Sequence, residues 1–192
     1  VGILAVNAQE KNLKKANDEY DKYAFIDARE AYLKVAEEGY QSTDLLSRLG
    51  DSYYFTADYE NAAKWYGALY NFSEDIDAEY IYRYALSLKS TEQYEASDAI
   101  MEKFYAAKGQ DYRAKLFINE RNYLQEIELQ SGRFKIENAS FNSKLSDFAP
   151  AFYQNRLTFA SNRSKRSAAR RIHDWNEQPF LDLYQVNIVS ED

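Results

Sequence analysis

Few side chains in this sequence have the types and spacing needed for covalent or metal chemistry. The 192 residues include no cysteine, which excludes a thiolate nucleophile, a disulfide and a cysteine-based zinc site. The single histidine, His173, lies in a polar, basic stretch and is interpreted either as an exposed loop residue or as a catalytic base. Adjacent carboxylates such as Glu37 and Glu38 are typical of the solvated faces of acidic helices. We therefore predict no catalytic residue, no metal site and no cofactor, and we expect a protein that is not an enzyme.

The composition favours a folded and mainly helical chain. Hydrophobic residues make up 45% of the sequence and aromatic residues 16%, so burial can offset the entropy of the chain. The two prolines leave long stretches free to form helices. The net charge of −7 is opposite in sign to the balance that phosphate binding requires, and we therefore predict no nucleic-acid partner.

The side chains that could contact a partner lie on helices that a repeated pattern predicts. Two helix faces are indicated within residues 43–69, at Leu46, Leu49, Gly50 and Tyr53 and at Ala62, Tyr66 and Leu69. Asp58 suits the N-cap of the second helix, and the small residues Gly50 and Ala62 predict a close crossing of the two helices. Matching residues recur 34 positions earlier, as Tyr32 does for Tyr66, and 35 positions later, as Ala85 does for Gly50.

This pattern resembles the two-helix unit of tetratricopeptide repeat (TPR) proteins. The resemblance implies a mainly α chain with a TPR-like α-solenoid over residues 9–130, closed by a capping helix from Tyr112 to about Gln130. It is a resemblance of packing positions and implies no chemistry. In such arrays the first helix of each unit lines the concave face, and residues beside its packing stripe point into the groove. The residues expected to bind a partner there are Tyr20, Arg48, Asp51, Tyr54, Tyr82 and Arg83.

Basic side chains recur at one position of this repeat. Lys14, Arg48 and Arg83 occupy equivalent places, and such a row could hold a carboxylate or an acidic peptide, with tyrosines supplying rigid contact area. Each arginine has two alternative roles, as a solvated side chain or as half of an intramolecular ion pair. The tyrosines could instead pack between repeats.

After Gly132 the pattern changes from helix to strand. Leu157 and Phe159 alternate with small or polar residues, and Gln154 with Asn155 predicts a turn before them. Residues 131–192 resemble the first blade of a TolB-type β-propeller. The matching positions are Asp147, Pro150, Phe152, Ser161, Arg163, Asp182, Leu183 and Tyr184. One copy is present, so the resemblance implies an incomplete propeller, because closure needs several blades.

A basic loop of this segment, residues 163–171, is a second candidate surface. It contains Arg163, Lys165, Arg166, Arg170 and Arg171. The loop could contact an acidic partner or lipid head groups, and the alternative is a solvated propeller loop.

The first eight residues, VGILAVNA, are expected to be the remainder of a secretory signal peptide. Val6 and Ala8 are small residues at the two positions that signal peptidase reads, and a polar sequence follows. The alternative is a short leader that is disordered or extends the first helix. The stretch is far too short to span a bilayer, and we expect a protein that does not span the membrane.

A TPR array that leads into a TolB-like propeller resembles the OmpA-family envelope proteins of Bacteroidetes, one of which is a component of the type IX secretion system. The resemblance implies a periplasmic, outer-membrane-associated protein with protein partners in the cell envelope. Peptidoglycan would be bound only through a C-terminal OmpA-like domain that this sequence lacks. We therefore expect a non-enzymatic scaffold or adaptor of a type IX secretion or gliding-associated complex. The alternative is a peptide- or glycan-binding module of another envelope complex.

Overall fold

The computed structural model describes residues 2–163 and 172–187, and within them the chain is mainly α-helical with one small sheet. The helices are α1 (Gly2–Asp21), α2 (Phe25–Glu37), α3 (Thr43–Tyr54), α4 (Tyr59–Phe72), α5 (Ala78–Ser90), α6 (Tyr94–Lys108), α7 (Tyr112–Asn119) and α8 (Tyr123–Gln130). The strands are β1 (Asp147–Tyr153), β2 (Arg156–Ser161) and β3 (Asp182–Asn187).

These elements belong to two compact units. The helical unit contains α1 to α7 and the start of α8 as far as Glu126, together with residues 174–176. The sheet unit begins at Ile127 and contains the three strands. Residues 2–8, predicted as the remainder of a signal peptide, form the first part of α1, and the signal-peptide interpretation stays a prediction.

The first six helices form three pairs that share one type of connection. After the first helix of each pair, one residue has a left-handed backbone, at Tyr23 (φ 64°), Ala57 (φ 61°) and Glu92 (φ 62°). The following N–H then donates to a carbonyl of the preceding helix, in the pairs Ala24–Glu19, Asp58–Tyr53 and Gln93–Leu88. These positions are 34 and 35 residues apart, so the repeat in the sequence is also a repeat of backbone geometry.

The core of the helical unit consists of the predicted packing positions. Leu46 and Leu49 on α3 pack with Tyr66 and Leu69 on α4, and all four side chains are buried. A Cβ atom added to Gly50 would lie 2.5 Å from Cδ1 of Tyr66, so the predicted close crossing is confirmed.

Side-chain caps fix where several helices begin. The carboxylate of Asp58 accepts a hydrogen bond from the N–H of Asn61 (3.2 Å), which confirms its predicted role as the N-cap of α4. Ser42, Asp77 and Asp111 cap α3, α5 and α7 in the same way. Such caps satisfy N–H groups that have no partner within the helix, and each contributes about 1 kcal/mol.

The predicted continuous helix from Tyr112 to Gln130 is wrong. The structure divides it into α7 and α8, with a turn at residues 120–122. Asn119 is the last residue of α7 and Asn122 lies in the turn, and asparagine is a weaker helix former than most of the residues around it. The apolar periodicity of the segment does not reflect this weaker preference.

The sheet unit is built on an antiparallel sheet with the strand order β1-β2-β3. Gln154 (φ 45°) and Asn155 (φ 62°) form the predicted turn between β1 and β2. Two consecutive positive φ values match the twist of a two-residue hairpin. Phe159 of β2 is buried between the rings of Phe141 (5.2 Å) and Tyr184 (6.0 Å).

Candidate partner-binding site

Asp51 of α3 joins several of the predicted site residues. Its side chain is almost fully buried, and one oxygen, Oδ2, accepts a hydrogen bond from the hydroxyl of Tyr20 on α1 (2.7 Å). The other oxygen, Oδ1, accepts from the hydroxyl of Tyr66 on α4 (2.5 Å) and from Nη1 of Arg83 on α5 (2.6 Å). A single carboxylate therefore connects four helices from all three pairs.

The electrostatics of this cluster favour neutral tyrosines beside a paired charge. Burial, together with the nearby Asp51, raises the pKa values of Tyr20 and Tyr66 well above the ordinary value. Burial opposes the charge of Arg83, but Asp51 and Glu79 outweigh it and raise the pKa of that guanidinium. The arginine therefore stays charged and holds its ion pair with Asp51.

Arg48 of α3 makes a similar but more exposed set of contacts. Its Nε donates to Oδ1 of Asp44 (2.9 Å), and its Nη1 donates to Oδ1 of Asp21 on α1 (3.2 Å). The guanidinium also lies 4.9 Å from the ring centre of Tyr20. Arg48 thus connects α1 with α3 at the surface, in parallel with the bond from Tyr20 to Asp51.

Tyr54 and Tyr82, the two remaining predicted residues, are half-buried. Tyr54 makes edge contacts with Phe55 and Tyr59, and the guanidinium of Arg83 lies 5.9 Å from its ring centre. Tyr82 packs against Phe104, with ring centres 5.1 Å apart. Both tyrosines therefore contribute to packing, as the alternative interpretation stated, and each also keeps part of its surface open.

Two residues of this surface were missed by sequence reasoning. Arg113 of α7 donates to Glu79 of α5 (2.8 Å), and its guanidinium lies 4.3 Å from the ring centre of Tyr82. Glu79 and Arg113 are 34 residues apart, which is the repeat length, and this spacing was the available signal. The repeat was recognised from positions that are apolar or basic in every unit. A position that is acidic in one unit and basic in the next was therefore not recognised.

A common arrangement recurs along these helices. Arg48, Arg83 and Arg113 each lie over a tyrosine of the preceding odd-numbered helix and each pair with at least one carboxylate. We call this surface the first-helix face, and its residues are Tyr20, Arg48, Tyr54, Tyr82, Arg83 and Arg113. Cation–π contacts of this kind contribute about 0.5–1 kcal/mol each at exposed sites.

The predicted row of basic side chains is largely neutralised by the chain's own carboxylates. Arg48 and Arg83 both have intramolecular ion pairs, as the second alternative stated, whereas Lys14 is exposed and has no ion-pair partner among the described residues. Asp51 is buried beneath Tyr20 and Arg83, so it contacts a partner only through the side chains that it holds. The first-helix face therefore presents rigid aromatic and guanidinium surfaces with little net charge.

In the sheet unit, the described part of the basic loop is Arg163. Its Nη2 donates to Oδ1 of Asp147 (2.5 Å), and its Nε donates to the hydroxyl of Ser161 (3.0 Å). The hydroxyl of Tyr184 donates to the Arg163 carbonyl (2.5 Å). The bond from Arg163, followed by weaker contributions from neighbouring serines, lowers the pKa of Asp147. Lys165, Arg166, Arg170 and Arg171 lie outside the described residues, so the role of the loop stays a prediction.

The described residues also include the single histidine. His173 is exposed, its backbone N–H donates to the carbonyl of Gln178 (2.9 Å), and its ring lies 3.7 Å from that of Phe180. No group of three or more metal-ligating side chains occurs in residues 2–163 and 172–187. In the same part of the chain, no helix combines the length and apolar character that a membrane span needs.

Comparisons with known proteins place this chain in no family. No protein-family model matches it, and a search of curated proteins found no significant match. A functional assignment therefore depends on the residues and geometry described above.

Proposed function

We propose that this chain is a non-enzymatic scaffold that docks protein partners on the first-helix face of a TPR-like solenoid. In this proposal the protein is periplasmic, is associated with the outer membrane and belongs to a type IX secretion or gliding-associated complex. The sheet unit is the start of a TolB-like propeller. Peptidoglycan anchoring belongs to an OmpA-like domain outside this sequence.

The observation that carries the docking role is the repeated arginine–tyrosine arrangement. Arg83 is held by the buried Asp51 and by Glu79, so its guanidinium is fixed before a partner arrives. Fixed side chains lose little conformational entropy on binding. Tyrosine and arginine are also the residue types that dominate the energy of protein interfaces.

Contacts in the sheet unit support the propeller part of the proposal. Asp147, Ser161, Arg163 and Tyr184 are four of the residues on which the propeller resemblance rests, and they bond to one another. Their spacing in the sequence thus has a physical reason, since Asp147, Ser161 and Tyr184 all bond to Arg163. The assignment to the envelope rests on this motif and on the apolar N-terminal stretch.

Site-specific photo-crosslinking in the native envelope tests the docking role. A photoreactive amino acid at Lys14, which is exposed at the repeat position of Arg48 and Arg83, reports on the first-helix face. The matched control places the same amino acid at Lys34 of α2, which is also exposed. We expect crosslinks to defined envelope proteins from position 14 and not from position 34, identified by mass spectrometry.

A second comparison asks whether the face itself binds. With the photoreactive amino acid kept at position 14, Arg48→Gln removes one positive charge from the face and keeps all three hydrogen bonds to Asp51. The control variant, Lys103→Gln, removes the same charge from an exposed site on α6. The proposal predicts loss of the crosslinked partners in the first variant alone. Equal crosslinking in both variants, or crosslinks to glycans instead of proteins, would contradict it.

A further inference from the structure

A cavity of about 160 Å³ lies between α5, α6, α7 and the first residue of α8. Its walls are mainly apolar, with Tyr82 and Leu86 from α5, Met101 from α6, and Leu116 and Phe117 from α7. A volume near 150 Å³ accommodates a benzene ring. The cavity therefore has room for one large apolar side chain.

Tyr123 also lines the cavity. The ammonium of Lys89 lies 3.6 Å from its ring centre and covers the ring. The oxygen of Tyr123 is buried and has no hydrogen-bond partner in the described part of the chain. Because almost no surface of this oxygen is open to solvent, a group bound in the cavity does not reach the hydroxyl.

Among the described residues that line the cavity, the charged side chains without an ion pair are two carboxylates and one ammonium, which leaves a net charge of −1. Asp98 and Glu120 line the cavity, and neither forms an ion pair among the described residues. Burial and then the charge of Asp98 raise the pKa of Tyr123. Of the two cations that line the cavity, Arg113 is already paired with Glu79 and Asp111. Lys89 is the cation without an ion pair among the described residues.

An exposed apolar side chain continues the cavity wall at the surface. Leu116 of α7 lines the cavity and is 39% exposed. A bound chain would therefore cover apolar surface there.

From this combination we infer that the cavity binds a segment of a partner protein in which a large apolar side chain stands beside a lysine or arginine. The apolar side chain fills the space between Leu86, Met101 and Phe117. The cation of the segment lies near Asp98 and Glu120. This surface is separate from the first-helix face except for Tyr82 and Arg113. The inference rests on the proposed function only in taking the ligand to be a protein.

Peptide binding to the complete 192-residue chain tests this inference. The probe is a dye-labelled Gly-Lys-Phe-Lys-Gly peptide, followed by fluorescence anisotropy. One control peptide replaces Phe with Ala, and the other replaces both Lys residues with Glu. We expect the probe to bind at least about tenfold more tightly than either control, because each control removes one of the two contacts. Equal affinity for the probe and either control, or no binding of the probe, would overturn the inference.

Protein variants locate the binding. Asp98→Asn with Glu120→Gln should weaken probe binding about tenfold, whereas Glu30→Gln with Glu37→Gln, an equal change of charge at exposed sites on α2, should leave it unchanged. Tyr123→Phe removes only a hydroxyl that the peptide does not reach and should leave binding unchanged. Unchanged binding by the variant of Asp98 and Glu120 would place the peptide elsewhere and overturn the inference. Because the peptide is synthetic, its binding does not depend on whether the crosslinking experiment finds a partner on the first-helix face.

Discussion

At the scale of single residues, Asp51 determines how the helices of the first three pairs are joined. It is 2% exposed, yet all three of its hydrogen-bond donors come from other helices. Burial of a carboxylate is costly unless its oxygens are bonded and its charge is paired. That requirement is met jointly by Tyr20, Tyr66 and Arg83. The stabilising effect of each of these side chains therefore depends on the other two.

We predict that Asp51→Ala destabilises the helical unit by about 3–5 kcal/mol. The substitution leaves a half-buried guanidinium and two tyrosine hydroxyls without their acceptor, which is the situation that costs this much in other proteins. Unfolding by urea, followed by circular dichroism, measures the effect. Asp44→Ala is the matched control, because it breaks the exposed pair with Arg48, and its cost should stay below about 1 kcal/mol. Equal costs for both variants would contradict the role given to Asp51.

The sequence predicted the members of this cluster separately and not their contacts. Tyr20, Asp51 and Arg83 were expected on one face as residues open to a partner, and the structure places Asp51 beneath the other two. Tyr66 was recognised only as a packing residue, although its hydroxyl is a donor to Asp51. Repeat spacing assigns a residue to a face of a helix. The crossing geometry and the rotamers decide which side chains contact another helix. Repeat spacing gives no information about either.

At the scale of helices, the distance between α3 and α4 is set by Gly50. A Cβ atom there would lie 2.5 Å from two ring atoms of Tyr66, and that ring is buried and anchored to Asp51. Gly67 of α4 also faces a tyrosine, but its Cβ would meet the terminal hydroxyl of the partly exposed Tyr84 at 3.0 Å. The two glycines therefore differ in how easily the facing side chain can move.

We predict opposite outcomes for alanine at these two glycines. Gly50→Ala should destabilise the chain by about 1–2 kcal/mol, because the overlap with Tyr66 costs more than the helix propensity of alanine gains. Gly67→Ala should be neutral or stabilising by up to about 1 kcal/mol, since the Tyr84 hydroxyl can shift toward solvent. The urea midpoints of the two variants measure the difference. A stabilised Gly50→Ala protein would contradict the close crossing.

The helices were predictable where apolar periodicity was strong, and their ends were less so. The pattern predicted α3 and α4, the cap at Asp58 and the β1–β2 turn, all of which are confirmed. It did not predict the break between α7 and α8. The left-handed residues Tyr23, Ala57 and Glu92 also carried no signal, because none is a glycine or asparagine. Their conformation is imposed by the return of the second helix onto the first.

At the scale of the whole molecule, buried tyrosines make the folded state less stable as the pH rises into the alkaline range. Burial raises the pKa of Tyr32 to about 12, although Arg48 opposes the shift, and burial with Asp51 raises that of Tyr66 further. In the unfolded chain both phenols ionise near pH 10. Below about pH 10 the folded and unfolded states hold these protons equally. Above it the unfolded chain releases them first, which favours unfolding.

We predict that the free energy of unfolding falls by about 4 kcal/mol per pH unit between about pH 10 and pH 12. Each tyrosine with a strongly raised pKa contributes about 1.4 kcal/mol per unit, and Tyr20, Tyr32 and Tyr66 are three such residues. Urea unfolding over this pH range measures the slope. Tyr66→Phe should reduce it by about a third, whereas Tyr112→Phe, at an exposed site in the same unit, should leave it unchanged. A slope independent of Tyr66 would show that other groups control the alkaline transition.

The bonds to Asp51 also set the smallest piece of this array that can be excised or transplanted intact. A fragment that begins at α3 loses Tyr20, and one that ends at α4 loses Arg83, so an isolated α3–α4 hairpin keeps only the bond from Tyr66. The shortest segment that preserves every bond to Asp51 runs from α1 to the end of α5, residues 2–90. Although the sequence repeats every 34 or 35 residues, a graft or truncation of this protein should therefore be planned in blocks longer than one repeat.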